Sequence, residues 1–221
     1  YHVMVPSFSF MGGKARLRNW LCSLFPKEGS LYLEPFAGLG NVFYSARTNL
    51  NFKNWQINDL DVSFFTSILE VDLDALPNEV LKEDFLFWKE QNNSVSRVIE
   101  PRISFAGKGY KYGYNGTSGT HKGYNGVLYR NKCHQAKLLL QDVNITNVSW
   151  DELGIQNLDG QDFVYLDPPY YNTVTPYPNI NHENLIDILN TCKCKWAVSG
   201  YDNEFYEKNL EYKNRHIKQR N

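Results

Sequence analysis

Four consecutive large apolar residues, Phe163-Val164-Tyr165-Leu166, run straight into Asp167-Pro168-Pro169-Tyr170. A short unbroken apolar run ended by a turn signal reads as a strand buried on both faces, as in a parallel sheet. Such a strand needs helices over both faces, which directs the chain to an α/β architecture. The carboxylate of Asp167 then lies just past the strand's carboxyl end, where open α/β sheets bind ligands. Pro168 and Pro169 have a fixed φ and no N–H to donate. The chain therefore leaves the strand as a stiff turn with free carbonyls, and Tyr170 presents a flat ring beside them. Acceptors converging beside an aromatic face suit an exocyclic amino group on a planar base. The competing reading is a proline-rich turn with Asp167 as an ordinary turn residue.

Two further segments repeat the pattern of a strand that ends in an acid. Leu31-Tyr32-Leu33 leads to Glu34, the loop Pro35-Phe36-Ala37-Gly38-Leu39-Gly40, and a helix start at Asn41, which is a candidate cap. Gly38 and Gly40 let backbone approach a ligand closely. Position 43 is Phe, so the full dinucleotide fingerprint is absent, and no Lys-Ser/Thr follows as in a phosphate-binding loop. An acid beside a glycine loop fits a ligand with a positive charge, such as an amino-acid ammonium. Trp55-Gln56-Ile57-Asn58-Asp59 reads as the next strand. Asp59 follows Gly40 by 19 residues, a spacing at which an acid can accept ribose hydroxyls. Together these features describe a nucleoside cofactor without phosphates, a description that S-adenosylmethionine meets.

The net charge of −1 conceals an uneven distribution. Residues 101–141 contain no Asp or Glu, but they carry Arg102, Lys108, Lys111, Lys122, Arg130, Lys132 and Lys137, with Tyr110, Tyr112, Tyr114, Tyr124 and Tyr129. Basic and aromatic side chains on a glycine-rich frame make a surface for nucleic acid; the plainer alternative is a solvated surface loop. Lys108, Tyr110, Lys111, Tyr112, Tyr114, Lys122 and Arg130 are the candidate DNA contacts. The pairs Asn115-Gly116 and Asn125-Gly126 predict tight hairpin turns. Residues 71–100 read as helical on the spacing of Leu76, Val80, Leu81, Phe85 and Trp88. Further strands are expected at 144–148 and 195–199, and helices at 14–25 and 183–190. Cys22, Cys133, Cys192 and Cys194 make no zinc or redox pattern, so reduced thiols and no metal site are expected. No apolar run is long enough for a membrane span, and the amino end lacks the regions of a secretory signal.

The ordered set Phe10-Met11-Gly12-Gly13-Lys14-Ala15-Arg16-Leu17, Glu34 to Gly40, Asn58-Asp59 and Asp167-Pro168-Pro169-Tyr170 resembles the Dam-like, α-group DNA adenine-N6 methyltransferases. The resemblance spans nearly the whole chain. It implies a doubly wound, Rossmann-like S-adenosylmethionine-dependent methyltransferase sheet, with residues 1–100 and 142–221 as the catalytic domain and 101–141 as an inserted target-recognition segment. It implies methyl transfer to a flipped-out adenine in double-stranded DNA by a cytoplasmic monomer, with a cognate restriction endonuclease as a further partner. Cytosine-N4 transfer and a catalytically silent DNA-binding relative are the alternatives. Asp167, Pro168, Tyr170 and Lys14 take the catalytic roles. The cofactor falls to Phe10, Gly12, Gly13, Lys14, Glu34, Pro35, Phe36, Gly38, Gly40, Asn58, Asp59 and Asp167. The chain departs from the family after the strand at 144–148, where Ser149-Trp150 replaces an Asp-aromatic pair and Asp151 is displaced. Relatives also continue through a final strand pair beyond the point where this chain stops.

Overall fold

A computed structural model describes residues 4–9, 12–114, 124–175, 177–200 and 203–218. The candidate residues Phe10 and Lys122 and the Asn115-Gly116 pair lie outside that set. The elements, in chain order, are α1 (Arg18–Leu24), β1 (Glu28–Glu34), α2 (Asn41–Asn49), β2 (Asn51–Asn58), α3 (Ser63–Glu70), α4 (Asp84–Gln91), α5 (Ser94–Ile103), α6 (Gly126–Leu139), β3 (Asn144–Thr146), β4 (Phe163–Leu166), α7 (His182–Thr191), β5 (Lys195–Val198) and α8 (Glu204–Asn209).

The five strands form one parallel sheet in the order β3-β2-β1-β4-β5. The two-residue period of a strand sorts its side chains to opposite faces. Tyr32 of β1 and Phe163 and Tyr165 of β4 join the core under α1, α2, α3, α5 and α6. Leu33, Val164 and Leu166 point the other way, into a second core with α7 and Leu210. Both faces are thus covered, which is why β4 is buried at every position. The chain runs outward from β1 to β2 and β3, then returns to place β4 on the other side of β1. The order reverses between β1 and β4, and that topological switch point is where a cleft opens beyond the strand ends. Glu34 ends β1, and Asp167 follows β4. The arrangement is the Rossmann-like sheet of class I S-adenosylmethionine-dependent methyltransferases.

Three local expectations are corrected. Asn41 does not cap α2: Gly40 holds the cap position in the left-handed region, at φ 84°. A Cβ there would also lie 3.0 Å from the rings of Phe65 and Tyr44. Asn41 is buried instead, accepting from the Phe8 amide and donating to the Phe8 carbonyl, each at 2.8 Å. Residues 71–100 are not one helical stretch. A single 3-10 turn (Leu73–Ala75) precedes Pro77, and α4 and α5 are separated by Asn92 in the left-handed region and by Asn93, which caps α5 by accepting from the Ser96 amide. Leu76 and Val80 are buried from irregular backbone, and Leu81 is exposed. The Asn125-Gly126 pair makes a helix start rather than a hairpin: Asn125 Oδ1 accepts from the Leu128 amide at 3.0 Å and caps α6. Gly126 is required there by close approach, since a Cβ would lie 2.3 Å from the Pro77 carbonyl oxygen. α6 buries Tyr129, Cys133 and Ala136 against the helical layer.

Candidate active site

A cleft of about 850 Å³ opens at the switch point. It is lined by Gly12, Gly13 and Lys14, by the β1 end and glycine loop from Glu34 to Leu39, by Asn58 to Asp61 after β2, by Val148 to Asp151 after β3, and by Asp167 to Tyr170 after β4. Four strand ends and the amino-terminal segment therefore bring most of the sequence-predicted catalytic and cofactor residues to one place; Gly40, buried at the α2 cap, does not line the cleft.

Asp167 and Lys14 form its polar centre. Lys14 Nζ donates to Asp167 Oδ2 at 2.7 Å and to the Gly12 carbonyl at 3.0 Å, and it sits 5.3 Å from the centre of the Tyr170 ring. Asp167 Oδ1 is inaccessible to solvent and has no hydrogen-bond partner among the described residues. A buried acceptor without a donor carries a desolvation cost, which a ligand donor that displaces its cover would remove. Burial pushes the Asp167 carboxyl above its ordinary range, against the pull of Lys14. Burial acts in the opposite direction on Lys14, but Asp167 outweighs it and holds the ammonium charged.

Glu34 is buried at the floor, where the Tyr32 hydroxyl donates to its Oε1 at 2.6 Å. Burial drives its carboxyl up to about 8; the Tyr32 bond opposes that shift and Asp167 adds to it. Asp59 braces the glycine loop, its Oδ2 accepting from the Gly38 amide at 2.8 Å while Oδ1 accepts from the Asp61 amide at 3.2 Å. Burial raises the Asp59 carboxyl in spite of these bonds. Asn58 lines the cleft but is fully engaged elsewhere. Its Nδ2 donates to the Pro35 and Val148 carbonyls, each at 3.0 Å, and its Oδ1 accepts from the Val148 amide at 3.1 Å and the Thr146 hydroxyl at 2.9 Å. An amide satisfied at both ends positions three strand ends and has little left for a ligand. Phe36 packs beside Trp150, with ring centres 6.3 Å apart. At the departure from the family pattern, the Ser149 hydroxyl donates to Asp151 Oδ1 at 2.5 Å.

The donor set fits S-adenosylmethionine. The acids Glu34 and Asp59 flank the glycine loop. The cleft's cations, Lys14 and Arg97, are both ion-paired, which leaves the site poor in phosphate-binding charge. Two contributions escaped sequence reasoning. Tyr177, in the segment after Tyr170, lines the cleft; burial, with Asp59 and Asp167 adding, pushes its phenol up to about 12. Arg97, from α5, lines it as well. Neither stands in a motif: Tyr177 lies in a proline-flanked stretch without periodicity, and Arg97 reads as one more charge on a helix.

The candidate DNA contacts separate into two groups. Tyr110 donates to the Ser96 carbonyl at 2.6 Å and packs on Phe85. Tyr114 donates to the Val80 carbonyl at 2.9 Å and meets the same ring. Arg130 holds the Leu76 carbonyl at 2.8 Å and Asn78 Oδ1 at 2.6 Å. These three side chains are engaged within the protein. Tyr112 is 41% exposed, with Lys111 Nζ 4.9 Å and Lys108 Nζ 5.6 Å from its ring centre. Phe105, 55% exposed, completes a basic, aromatic tip.

Fold and cleft together define an S-adenosylmethionine-dependent methyltransferase. Comparison with known proteins is more specific: the family model for D12 class N6 adenine-specific DNA methyltransferases matches residues 10–221, and the chain belongs to that family. It is 26% identical over 210 residues to the modification methylase StsI of Streptococcus sanguinis, covering 85% of this chain and 32% of that protein. It is 23% identical over 233 residues to the type II methyltransferase M.FokI of Planomicrobium okeanokoites, covering 92% and 36%. Against the type II methyltransferase M.CviBI of Paramecium bursaria Chlorella virus NC1A, identity is 24% over 249 residues, covering 95% and 92%. The chain thus spans about a third of the length of the first two relatives. Among the described residues no helix is long and apolar enough to cross a membrane.

Proposed function

We propose that this chain methylates the N6 amine of a specific adenine in double-stranded DNA, with S-adenosylmethionine as donor. The observation that carries the reading is the solvent-inaccessible, unpartnered Oδ1 of Asp167, beside the Tyr170 ring and in one cleft with Glu34 and Asp59. The amine is buried in base pairing within a duplex, so the base must leave the stack, at a cost of roughly a few kcal/mol. Tyr170 then stacks on the extruded base. Asp167 Oδ1 and the Pro168 carbonyl accept the two amine hydrogens, which turns the nitrogen lone pair out of conjugation with the ring. Lys14 fixes the other oxygen of Asp167 and so sets the carboxylate's direction. Methylation leaves an ammonium far more acidic than a free amine, so Asp167 can take its proton without being a strong base.

Glu34 faces the cofactor's ammonium, Phe36 and Gly38 pack along its methionine end, and Asp59 accepts its ribose hydroxyls. The cofactor, when bound, supplies an electrophilic methyl group. Orientation and fixed electrostatics carry the acceleration, so no protein nucleophile is needed. Residues 1–100 and 142–221 serve as the catalytic domain and 101–141 as the recognition segment, with α6 as its anchor and the tip from Phe105 to Tyr112 as its contact surface. A restriction endonuclease is proposed as the enzyme's counterpart, in a bacterial or phage-infected cytoplasm. The acting form is proposed to be a monomer.

Sequencing that reports N6-methyladenine, on plasmid expressed with the protein and with its Asp167→Ala variant, tests the reading. One modified sequence context is expected with the wild type, and a far smaller modified fraction of the same context with the variant. Unmodified plasmid from both would reject it, and N4-methylcytosine in place of N6-methyladenine would reject the assigned base.

A further inference from the structure

We infer that Arg97 is a positioning residue that couples the cofactor cleft to the DNA-recognition tip, an inference that rests on the function proposed above. A continuous run of bonds joins the two. The Gly38 amide donates to Asp59 Oδ2 at 2.8 Å, and Asp59 Oδ1 accepts from the Asp61 amide at 3.2 Å. Asp61 Oδ2 takes the Arg97 guanidinium at 3.1 Å, while Arg97 Nε donates to the Ser63 hydroxyl at 2.6 Å. The remaining arm of Arg97 pairs with Glu100 Oε2. Glu100 Oε1 accepts from the Tyr110 amide at 3.1 Å, at the start of the turn that presents Lys111 and Tyr112. Tyr110 also donates through its hydroxyl to the carbonyl of Ser96, the residue beside Arg97.

Three acceptors, in the loop after β2, on α3 and on α5, are held by one planar fork, a task that a lysine's single ammonium cannot perform. The Asp61 side chain is 64% exposed, so its pairing with Arg97 adds little to global stability. Its other oxygen accepts from the amide and hydroxyl of Ser63 at the start of α3. A hydroxyl docking on Asp59 must share oxygens that already hold the glycine loop and the Asp61 amide. Any adjustment there passes through Asp61 to Arg97, and from Glu100 to the backbone of the tip.

The test compares DNA affinity with and without S-adenosylhomocysteine, on a duplex carrying the site mapped by modification sequencing. The wild type is expected to bind at least about five-fold tighter with the cofactor product present, the lower end of typical coupling between sites. In Arg97→Gln and in Asp61→Asn that ratio should fall toward one, in variants whose thermal transition shows a folded protein. Asp61→Asn keeps an oxygen for the α3 start and decides the matter if Arg97→Gln fails to fold. A wild-type ratio preserved in the folded variants overturns the inference. A wild type that binds both ligands with a ratio of one overturns it too, but leaves the proposed function standing. A wild type that binds neither rejects the function itself.

Discussion

The Asp167 carboxylate has two unequal oxygens. Lys14 holds Oδ2, while Oδ1 is buried and unpaired, so orientation is settled before substrate arrives. Asp167→Ala should lower kcat by about 10²–10³, the range seen when one preorganised polar group is removed from an active site, with cofactor affinity much less affected. Steady-state kinetics alongside calorimetry separates the two effects. Glu34 makes a prediction about pH. Its folded carboxyl titrates near 8, against an ordinary value of 4.5, so the native state holds an extra proton between those limits. This contribution to stability is full below 4.5 and is lost as pH rises through 8. Glu34→Gln removes the dependence: its Tm should exceed that of the wild type at about pH 8, and the gap should close at about pH 5. A gap equal at both pH values would mean that Glu34 is not the group responsible. The place of Asp167, just past a buried strand and in the cleft, was legible from the apolar run and the turn that follows it. The engagement of Asn58 was not, because sequence cannot say which neighbours satisfy an amide.

At the scale of elements, β4 was legible to the residue, since an unbroken apolar run has no other comfortable place than a sheet interior. β1 extends further than its apolar part suggests: polar Glu28, Gly29 and Ser30 belong to the strand, and Glu28 and Gly29 pair with Asn51 and Phe52 of β2. Asn125-Gly126 misled because the same pair suits a hairpin and a helix cap, and only packing against Pro77 and Asn78 decides between them. In the segment from Phe105 to Tyr114, sequence left Tyr110, Tyr112 and Tyr114 equivalent and the fold separates them. Tyr110→Ala and Tyr114→Ala should each destabilise by about 1–3 kcal/mol, leaving carbonyl acceptors unpaired. Tyr112→Ala should leave the thermal transition in place and impair transfer on a paired adenine more than on a mismatched one, where extrusion costs less. Equal loss on both substrates would remove Tyr112 as the side chain that fills the gap. Replacing Lys108 and Lys111 by Gln should flatten the slope of log affinity against log salt by about 0.9 for each phosphate no longer neutralised; an unchanged slope would place the DNA elsewhere.

For the whole molecule, the strand order explains why residues as distant in sequence as Lys14, Glu34, Asp59 and Asp167 share one cleft. The sequence signalled this through strands that end in acids, whereas Arg97 and Tyr177 reach the site by tertiary packing that no local pattern encodes. Every role assigned above depends on the cleft orienting an adenine amine for methylation. To test that dependence, purified protein and duplex DNA are incubated with S-adenosylmethionine carrying a deuterated methyl group. The DNA is then digested and its nucleosides are weighed by mass spectrometry. Deuterated N6-methyldeoxyadenosine is expected from the wild type, and from Asp167→Ala at an initial rate lower by about 10²–10³. Deuterium in deoxycytidine, or equal labelling of adenine by wild type and variant, would contradict the assignment.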